Sequence, residues 1–170
     1  MVLGCGPVGL MAILCARGVA GSVLAIDGVP ARRELAESLG AEAVAPEDAA
    51  EVVASATGGL GADVVIEAAG SPSGLDASLR LARGRGVVSV VGAHFEPDYP
   101  LNNGLMFERE LTLRFSIGDP TADGPLLLDR IANGELDPTP IITHRMPLSE
   151  AAEAYRLFDA HEATKVVLTP

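Results

Sequence analysis

The chain has 170 residues, 48% of them hydrophobic, which is enough to bury the core of one domain with an appendage. Its formal charge of −11, from 12 basic and 23 acidic residues, argues against nucleic-acid and anionic-membrane partners, because few cations would face phosphate groups. No apolar run approaches the ~18 residues of a membrane span, and Cys5 and Cys15 form no Cys-x-x-Cys pair, so we expect no disulfide or zinc knuckle and a location in a reducing cytoplasm.

The first predicted element is a glycine-rich loop, GCGPVG at residues 4–9, with the G-x-G-x-x-G pattern that joins a buried strand to a helix. Gly4 permits the tight turn, Gly6 lets a pyrophosphate approach the backbone, and Gly9 lets helix and strand pack closely. Such loops also occur as plain turns, so the pattern alone is weak. The residues that we expect at the pyrophosphate, including the amides of the first helical turn, are Gly4, Gly6, Pro7, Val8 and Gly9.

The next element, SVLAID at residues 22–27, is apolar and too short for a helix, so it predicts a buried strand that ends at Asp27. A carboxylate here can accept hydrogen bonds from both ribose hydroxyls of an adenosine and would repel a 2′-phosphate, which predicts NAD rather than NADP. Asp before Gly is also common in simple turns. Arg32, in the following helix, can reach the ribose or adenine, or remain a solvated helix residue.

Short apolar strands and helices then alternate along the chain. The predicted segments are a helix at 30–40, a strand at 41–45, a helix at 46–59, a strand at 62–70, a helix at 73–86, a strand at 87–94 and an edge strand at 110–119. This order predicts an α/β fold, a doubly wound parallel six-stranded sheet with helices on both faces. Ligands of such sheets lie at the carboxyl ends of the strands, where Ala69 and residues 91–93 form loops of small residues that suit either a ligand or a tight turn.

The pattern changes near residues 118–120, so we divide the chain into a dinucleotide-binding domain, 1–118, and a C-terminal segment, 119–170. In this segment we predict a helix from 122 to Asn133-Gly134, an extended piece at 141–147, a helix at 148–160 and a final strand at 165–170. We expect no further β-α-β unit there.

Methyltransferases that use S-adenosylmethionine offer another interpretation of the glycine loop, since they also carry an acidic residue after the second strand. They usually place an acid directly before a G-x-G-x-G loop. Here Val2 and Leu3 precede the loop and the third glycine comes one position later, so this alternative is disfavoured.

Three segments together resemble the zinc-dependent medium-chain alcohol dehydrogenases across the whole chain. They are VLGCGPVGLMAILCARGVAGSVLAID at 2–27, GADVVIEAAGSP at 61–72, and ITHRMPLSEAAEAYRLFD at 142–159 with KVVLTP at 165–170. The resemblance implies the NAD(H)-binding part of an alcohol or polyol dehydrogenase-like oxidoreductase. Such a part positions the nicotinamide for hydride transfer to or from an alcohol or aldehyde carbon.

The resemblance also implies roles for residues beyond the glycine loop. Val91, Gly92 and Ala93 match the nicotinamide-side loop, and the backbone of Ser116 and Ile117 faces the nicotinamide amide. Lys165 matches a basic position near the cofactor phosphates, although a surface charge before a strand is an alternative. The complete set of cofactor candidates is Gly4, Gly6, Pro7, Val8, Gly9, Asp27, Arg32, Ala69, Val91, Gly92, Ala93, Ser116, Ile117 and Lys165.

In that family an N-terminal lobe carries the catalytic zinc ligands, and this sequence has no counterpart of it. His94, His144 and His161 lie far apart, so we predict no metal ligand and no catalytic residue in the chain. We expect zinc only in the missing lobe of a full-length enzyme, and a first strand shortened to the three residues before Gly4. The chain is then inactive alone, or alternatively a non-catalytic stand-alone NAD-binding module.

The sixth strand, residues 111–117, is an edge strand in the family and pairs with its copy across a dimer. We therefore predict a homodimer through this strand. Apolar residues of the C-terminal segment, Leu148, Tyr155 and Phe158 among them, are expected to be exposed unless another chain covers them.

Overall fold

A six-stranded parallel sheet forms the centre of the first of two units, Met1–Asp119 and Pro120–Pro170, into which the chain divides. The computed structural model describes all 170 residues. The strands are β1 (Val2–Leu3), β2 (Leu24–Ile26), β3 (Glu42–Val44), β4 (Ala62–Glu67), β5 (Ala82–Val90) and β6 (Thr112–Phe115). Their order in the sheet is β3-β2-β1-β4-β5-β6, so the predicted doubly wound sheet is confirmed.

Five helices connect these strands. They are α1 (Pro7–Ala16), α2 (Pro30–Ser38), α3 (Ala49–Ala56), α4 (Pro72–Leu81) and α5 (Asn103–Glu108). Proline begins α1, α2 and α4, because the first helical position needs no amide hydrogen bond and its backbone angle suits the ring. Helix α1 is apolar almost all round and buries Leu10 and Ile13 completely, as expected for a helix inside a core.

The shortest strand, β1, lies at the centre of the sheet. Its residue Val2 is opposite Ala25 of β2 on one side and Ile66 of β4 on the other. Chain order runs outward from β1 in one direction and from β4 in the other, so the two halves of the sheet diverge here. In doubly wound sheets this switch point is where ligands bind, outside the carboxyl ends of the strands.

The predicted helix over 73–86 is wrong beyond Leu81. Residues 82–86 belong to β5, whose first residue, Ala82, already has extended backbone angles. Gly84 and Gly86 weaken a helix, and Arg83 instead forms an ion pair with Asp63 of β4. A register irregularity between β4 and β5 accommodates this stretch. Helix α5, just before β6, is an element that the sequence interpretation did not include.

The second unit contains α6 (Pro120–Ala132), β7 (His144–Pro147), α7 (Ala151–Asp159) and β8 (Val166–Thr169), with single 3₁₀ turns at Thr139–Ile141 and Leu148–Glu150. Strands β7 and β8 pair in parallel, and α7 lies between them in the chain, so this is a β-α-β unit. The expectation of no such unit is therefore wrong, since His144–Pro147 mixes polar and apolar residues and resembles a plain extended piece. None of the helices combines the length and apolarity that crossing a bilayer requires.

Candidate functional site

The loops after β1 and β4 touch each other backbone to backbone at the switch point. Gly4 has φ +94°, and a Cβ atom there would lie 2.6 Å from the amide nitrogen of Ala69. The Gly4 amide donates to the carbonyl of Ile26 at the end of β2, with an N–O distance of 2.8 Å. Gly4 thus sits where three strand ends meet, and neither its backbone angle nor the space admits a side chain.

Gly6 and Gly9 differ in what surrounds them. A Cβ atom on Gly9 would lie 1.8 Å from the Gly4 carbonyl oxygen, because α1 packs directly on the loop. A Cβ atom on Gly6 would meet no atom within 4 Å, and its φ of −68° suits any residue. The space beside Gly6 is therefore open and lies at the start of α1, which has no side-chain cap. A helix start with open space beside it can accommodate a phosphate group, which first-turn amides and the helix dipole attract.

Asp27 follows β2 and is almost buried, with 8% of its surface exposed. Its Oδ2 atom accepts a hydrogen bond from the Cys5 amide at 2.7 Å, and its Oδ1 atom accepts one from the Val29 amide at 2.8 Å. Each oxygen retains a lone pair for a ligand hydroxyl. Asp27 therefore also fixes the glycine loop, a second role that its position in the sequence does not indicate.

Two arginines of α2 lie close to Asp27. The Nη1 atom of Arg32 is 3.9 Å from Oδ2, and Nη1 of Arg33 donates to the Asp27 carbonyl at 2.8 Å. Arg33 was absent from the predicted site, although it neighbours Arg32 in the sequence. Burial, reinforced by the Asp27 carboxylate, raises the pKa of the Cys5 thiol to about 12. Cys5 is therefore a protonated core residue and no nucleophile.

A cavity of about 520 Å³ opens beside these loops and continues between α3 and α4. Its volume lies in the usual range for small-molecule sites. The loop residues at the carboxyl ends of β1 to β4 that line it are Gly4, Asp27, Gly28, Pro46, Ala69 and Ser71. The structure thus brings Gly4, Asp27 and Ala69 together around one space.

Glu67 ends β4, and its carboxylate is completely buried. Its Oε1 atom accepts hydrogen bonds from the amides of Ala69 and Gly70, both at 2.9 Å. Its Oε2 atom lies 3.0 Å from Nε2 of His94, which follows β5. Neither Glu67 nor His94 was a predicted site residue, and an acidic residue that directly follows an apolar run, here residues 64–66 of β4, is the pattern that can indicate one.

The loop formed by Val91, Gly92 and Ala93 lies directly against the loop after β4. The amides of Val91 and Gly92 donate to the main-chain oxygen of Glu67 at 2.9 and 3.0 Å. A Cβ atom on Gly92 would lie 2.4 Å from the amide nitrogen of Gly70, so the two loops leave no space for a side chain there. The candidates Ala69, Val91, Gly92 and Ala93 therefore belong to one arrangement.

Two further candidates follow β6. The Ser116 amide donates to the carbonyl of Val90 at 3.0 Å, which places Ser116 beside the end of β5. The Ile117 side chain is fully exposed. Lys165 belongs to the second unit, where it lines a pocket of about 250 Å³ with Tyr155 and Phe158. The structure thus gathers the candidates of the first unit around its strand ends, while Lys165 lies outside that unit.

Metal-ligand side chains do not gather at any point of the described chain. No group of three or more His, Cys, Asp or Glu residues could hold a metal ion. His94 faces Glu67, with Glu96 3.7 Å from its Nδ1 atom, and Nδ1 of His144 lies 3.0 Å from the Thr143 hydroxyl.

Comparisons with known proteins give a consistent result. The sequence model of a family described as zinc-binding dehydrogenase matches residues 7–133. A probable zinc-binding alcohol dehydrogenase of Mycobacterium tuberculosis is 38% identical over 156 residues, which cover 91% of this chain and 40% of that protein. This chain thus spans less than half the length of that curated relative.

Two solved structures resemble the whole chain. The alcohol dehydrogenase TADH from Thermus sp. ATN1 matches with a TM-score of 0.92 and 39% identity, over 99% of this chain and 49% of that one. A protein of Escherichia coli CFT073 described as a short chain alcohol dehydrogenase, complexed with the cofactor NADH, matches with a TM-score of 0.86 and 26% identity, over 99% of this chain and 51% of that one.

Proposed function

Because the chain belongs to the zinc-binding dehydrogenase family, which it matches over residues 7–133, we propose that it is the NAD(H)-binding part of an alcohol or polyol dehydrogenase-like oxidoreductase. The observation that carries the proposal is the open space beside Gly6 at the start of α1, together with the almost buried carboxylate of Asp27, which accepts a hydrogen bond from the Cys5 amide of the same loop. Bound NAD would supply the hydride chemistry, and the residues of this chain would bind and orient it.

The pyrophosphate is proposed to lie against Gly6 and the first turn of α1. The backbone of Gly4 makes the turn, and Gly9 allows α1 to approach it closely. The amides of Val8 and Gly9 lie in the first turn of α1, where N–H groups have no acceptor within the helix. Pro7 carries no N–H and so leaves none unsatisfied. Lys165 is a further proposed phosphate contact, supported by the family resemblance.

The adenosine ribose is proposed to bind Asp27. Both carboxylate oxygens are held in place by backbone amides, so the acceptor is already oriented before the ligand arrives. A 2′-phosphate would meet this carboxylate, and Arg32, whose Nη1 is 3.9 Å from it, offsets the repulsion in part. We therefore expect NADH to bind more tightly than NADPH.

The nicotinamide is proposed to face Val91, Gly92 and Ala93, with the backbone of Ser116 and Ile117 near its amide group. These residues position the ring for hydride transfer to or from an alcohol or aldehyde carbon. The donor groups of this chain do not fit a zinc ion, so no step is assigned to one. We propose that the chain alone binds the cofactor without turning over a substrate, and that two copies pair through β6.

Calorimetry with NADH and NADPH tests the proposal. We expect NADH to bind at least tenfold more tightly, a ratio that corresponds to about 1.4 kcal/mol. Asp27→Asn should reduce the ratio, and Asp159→Ala, which removes an exposed carboxylate of α7, should leave it unchanged. Equal affinities in the wild type, or no binding of either nucleotide, would contradict the proposal.

A further inference from the structure

We propose that His94 is a positioning residue for the nicotinamide side of the cofactor site, acting through its hydrogen bond to Glu67. The inference rests on the proposed NAD(H) binding and adds to it a residue pair that lies outside the glycine loop. The pair joins the end of β4 to the loop after β5, across 27 positions of the chain.

Glu67 is the residue through which the two loops are held. Burying a carboxylate completely is unfavourable unless hydrogen bonds replace the water that it loses. Here Oε1 accepts hydrogen bonds from two amides of the loop after β4, and Oε2 forms one with Nε2 of His94, at a distance of 3.0 Å. A carboxylate oxygen can only accept, so this contact selects the His94 tautomer that carries a proton on Nε2. His94 is therefore the side chain that satisfies the second oxygen.

The loops after β4 and β5 pack tightly against each other. A Cβ atom on Gly92 would lie 2.4 Å from the amide nitrogen of Gly70 and 2.9 Å from Oε2 of Glu67. A Cβ atom on Gly70 would lie 2.8 Å from the carbonyl oxygen of Ala93. Backbone of one loop thus faces backbone of the other, with the carboxylate between them. A shift of the Glu67 carboxylate therefore disturbs the contacts of the backbone at Gly70 and Gly92.

His94 follows Ala93 directly, so its side-chain bond sets how the loop leaves the sheet. Its side chain is 13% exposed, and only Glu96 lies near its other nitrogen, with Nδ1 and Oε2 3.7 Å apart. Without the bond to Glu67, the loop can adopt other arrangements, and the affinity for nicotinamide falls in proportion to the competent fraction. The adenosine and pyrophosphate contacts lie on the loops after β1 and β2 and are not affected in this way.

Two variants of His94, each with an amide side chain, test whether the hydrogen bond to Glu67 is required and not merely a polar side chain at this position. The amide nitrogen of His94→Gln can occupy nearly the place of Nε2 and donate to Oε2, whereas that of His94→Asn is one methylene shorter and cannot reach it. NADH and ADP-ribose, which lacks the nicotinamide, are the two probes, and binding is measured by calorimetry on the full chain. His144→Asn, a change of a half-buried histidine in β7, is the matched control.

We expect His94→Asn to bind NADH about tenfold more weakly, as when about a tenth of the molecules hold the loop in the competent arrangement. Its ADP-ribose affinity should stay that of the wild type, and His94→Gln should restore NADH binding. A parallel loss of both ligands in His94→Asn, or equal NADH binding by the two variants, would overturn the inference while leaving the proposed function intact. A wild-type chain that binds neither ligand would overturn both.

Discussion

Gly6 and Gly9 belong to the same turn, yet an added methyl group meets open space at one and a carbonyl oxygen at the other. A Cβ atom on Gly6 has no neighbour within 4 Å, and one on Gly9 would lie 1.8 Å from the oxygen of Gly4. Packing does not require a glycine at position 6, whereas the close contact between α1 and the loop requires one at position 9. Substitutions at these two positions can therefore test the proposed phosphate contact at Gly6 separately from the packing contact at Gly9.

Gly6→Ala should unfold at nearly the wild-type temperature but bind NADH at least tenfold more weakly, because the methyl group would occupy the place proposed for a phosphate. Gly9→Ala should lower the free energy of unfolding by about 2–4 kcal/mol, since α1 must move away from the loop. Thermal unfolding followed by circular dichroism and NADH calorimetry measure the two effects. Unchanged NADH affinity in Gly6→Ala would argue against a phosphate at this position.

Cys5 makes the free energy of unfolding depend on pH in the alkaline range. Its pKa is raised from 9.0 to about 12 in the folded chain, first by burial and then by Asp27. Between these values the unfolded chain releases the thiol proton and the folded chain keeps it. The free energy of unfolding therefore falls as pH rises above 9, by up to about 1.4 kcal/mol per pH unit, whereas below pH 9 the contribution is fully present.

Replacing Cys5 by Ala should make this decline shallower. Urea unfolding at pH 8 and pH 10 under reducing conditions measures the slope, and Cys15→Ala is the control for loss of a cysteine from the same region. Identical slopes for the wild type and Cys5→Ala would show that the thiol does not contribute.

The site residues that the sequence pattern alone predicted have a characteristic spacing. The glycine loop and Asp27 follow from the order strand, loop, helix and strand, since each glycine has one geometric task in that order. Glu67, His94 and Arg33 did not follow, because their contacts join loops that are distant in the chain or depend on side-chain direction. Spacing predicts which residues reach a strand end, and packing decides which of them face each other.

At the scale of elements, the start of α4 could be predicted from the sequence, whereas its end could not. Ser71 precedes Pro72, and its Oγ atom accepts a hydrogen bond from the Gly74 amide at 3.1 Å. Serine before proline is a common helix start. The end at Leu81 has no comparable residue, and the chain passes directly into β5. The predicted helix over 73–86 was too long because the sequence carries no stop signal at Leu81.

Ser71→Ala should lower the free energy of unfolding by about 1 kcal/mol, the usual effect of removing a serine cap. Ser73→Ala is the matched control, because the Ser73 hydroxyl contacts that of Ser71 at 3.3 Å and caps no amide of α4 in the structure. Urea unfolding at neutral pH compares them. A larger loss in Ser73→Ala than in Ser71→Ala would contradict the role given to the cap.

At the scale of the whole molecule, the sheet has two open edges, β3 and β6. The β6 edge carries exposed apolar side chains, with Phe115 60% exposed and Ile117 fully exposed. An apolar, unpaired edge tends to pair with another strand. In the second unit, apolar side chains of α6 and α7 are exposed, among them Leu128 and Tyr155, at 67% and 75%.

A proline tests the proposed dimer at this edge. The Ser116 amide points to β5, so the Phe115 amide, one position earlier, points outward. Phe115→Pro removes this outward donor without breaking a bond to β5. We expect the wild type to have the mass of two chains by light scattering and Phe115→Pro that of one. Ala43→Pro, on the β3 edge, should remain dimeric, and a monomeric wild type would contradict the prediction.

The fold class was predictable because short apolar runs, such as Leu24–Ile26 and residues 64–66, alternate with connections that are long enough for a helix. The β-α-β unit of the second half was not, since β7 contains Arg145 and ends in proline, and its pairing with β8 depends on contacts across α7. Periodicity identifies buried strands, while a strand in a small, half-exposed sheet lacks that pattern.

The two-residue strand β1 has a consequence for local opening of the fold. The halves of the sheet join through it, with the amides of Ile66 and Ala68 donating to the carbonyls of Met1 and Leu3 at 2.9 and 2.7 Å. A seam this short can open without unfolding either half, so hydrogen exchange at these two amides should be faster than at Val88, deep in β5. A dinucleotide bound across β1, as proposed, is expected to bind only the closed form, so saturating NADH should slow exchange at Ile66 and Ala68 while leaving the outer strands unchanged.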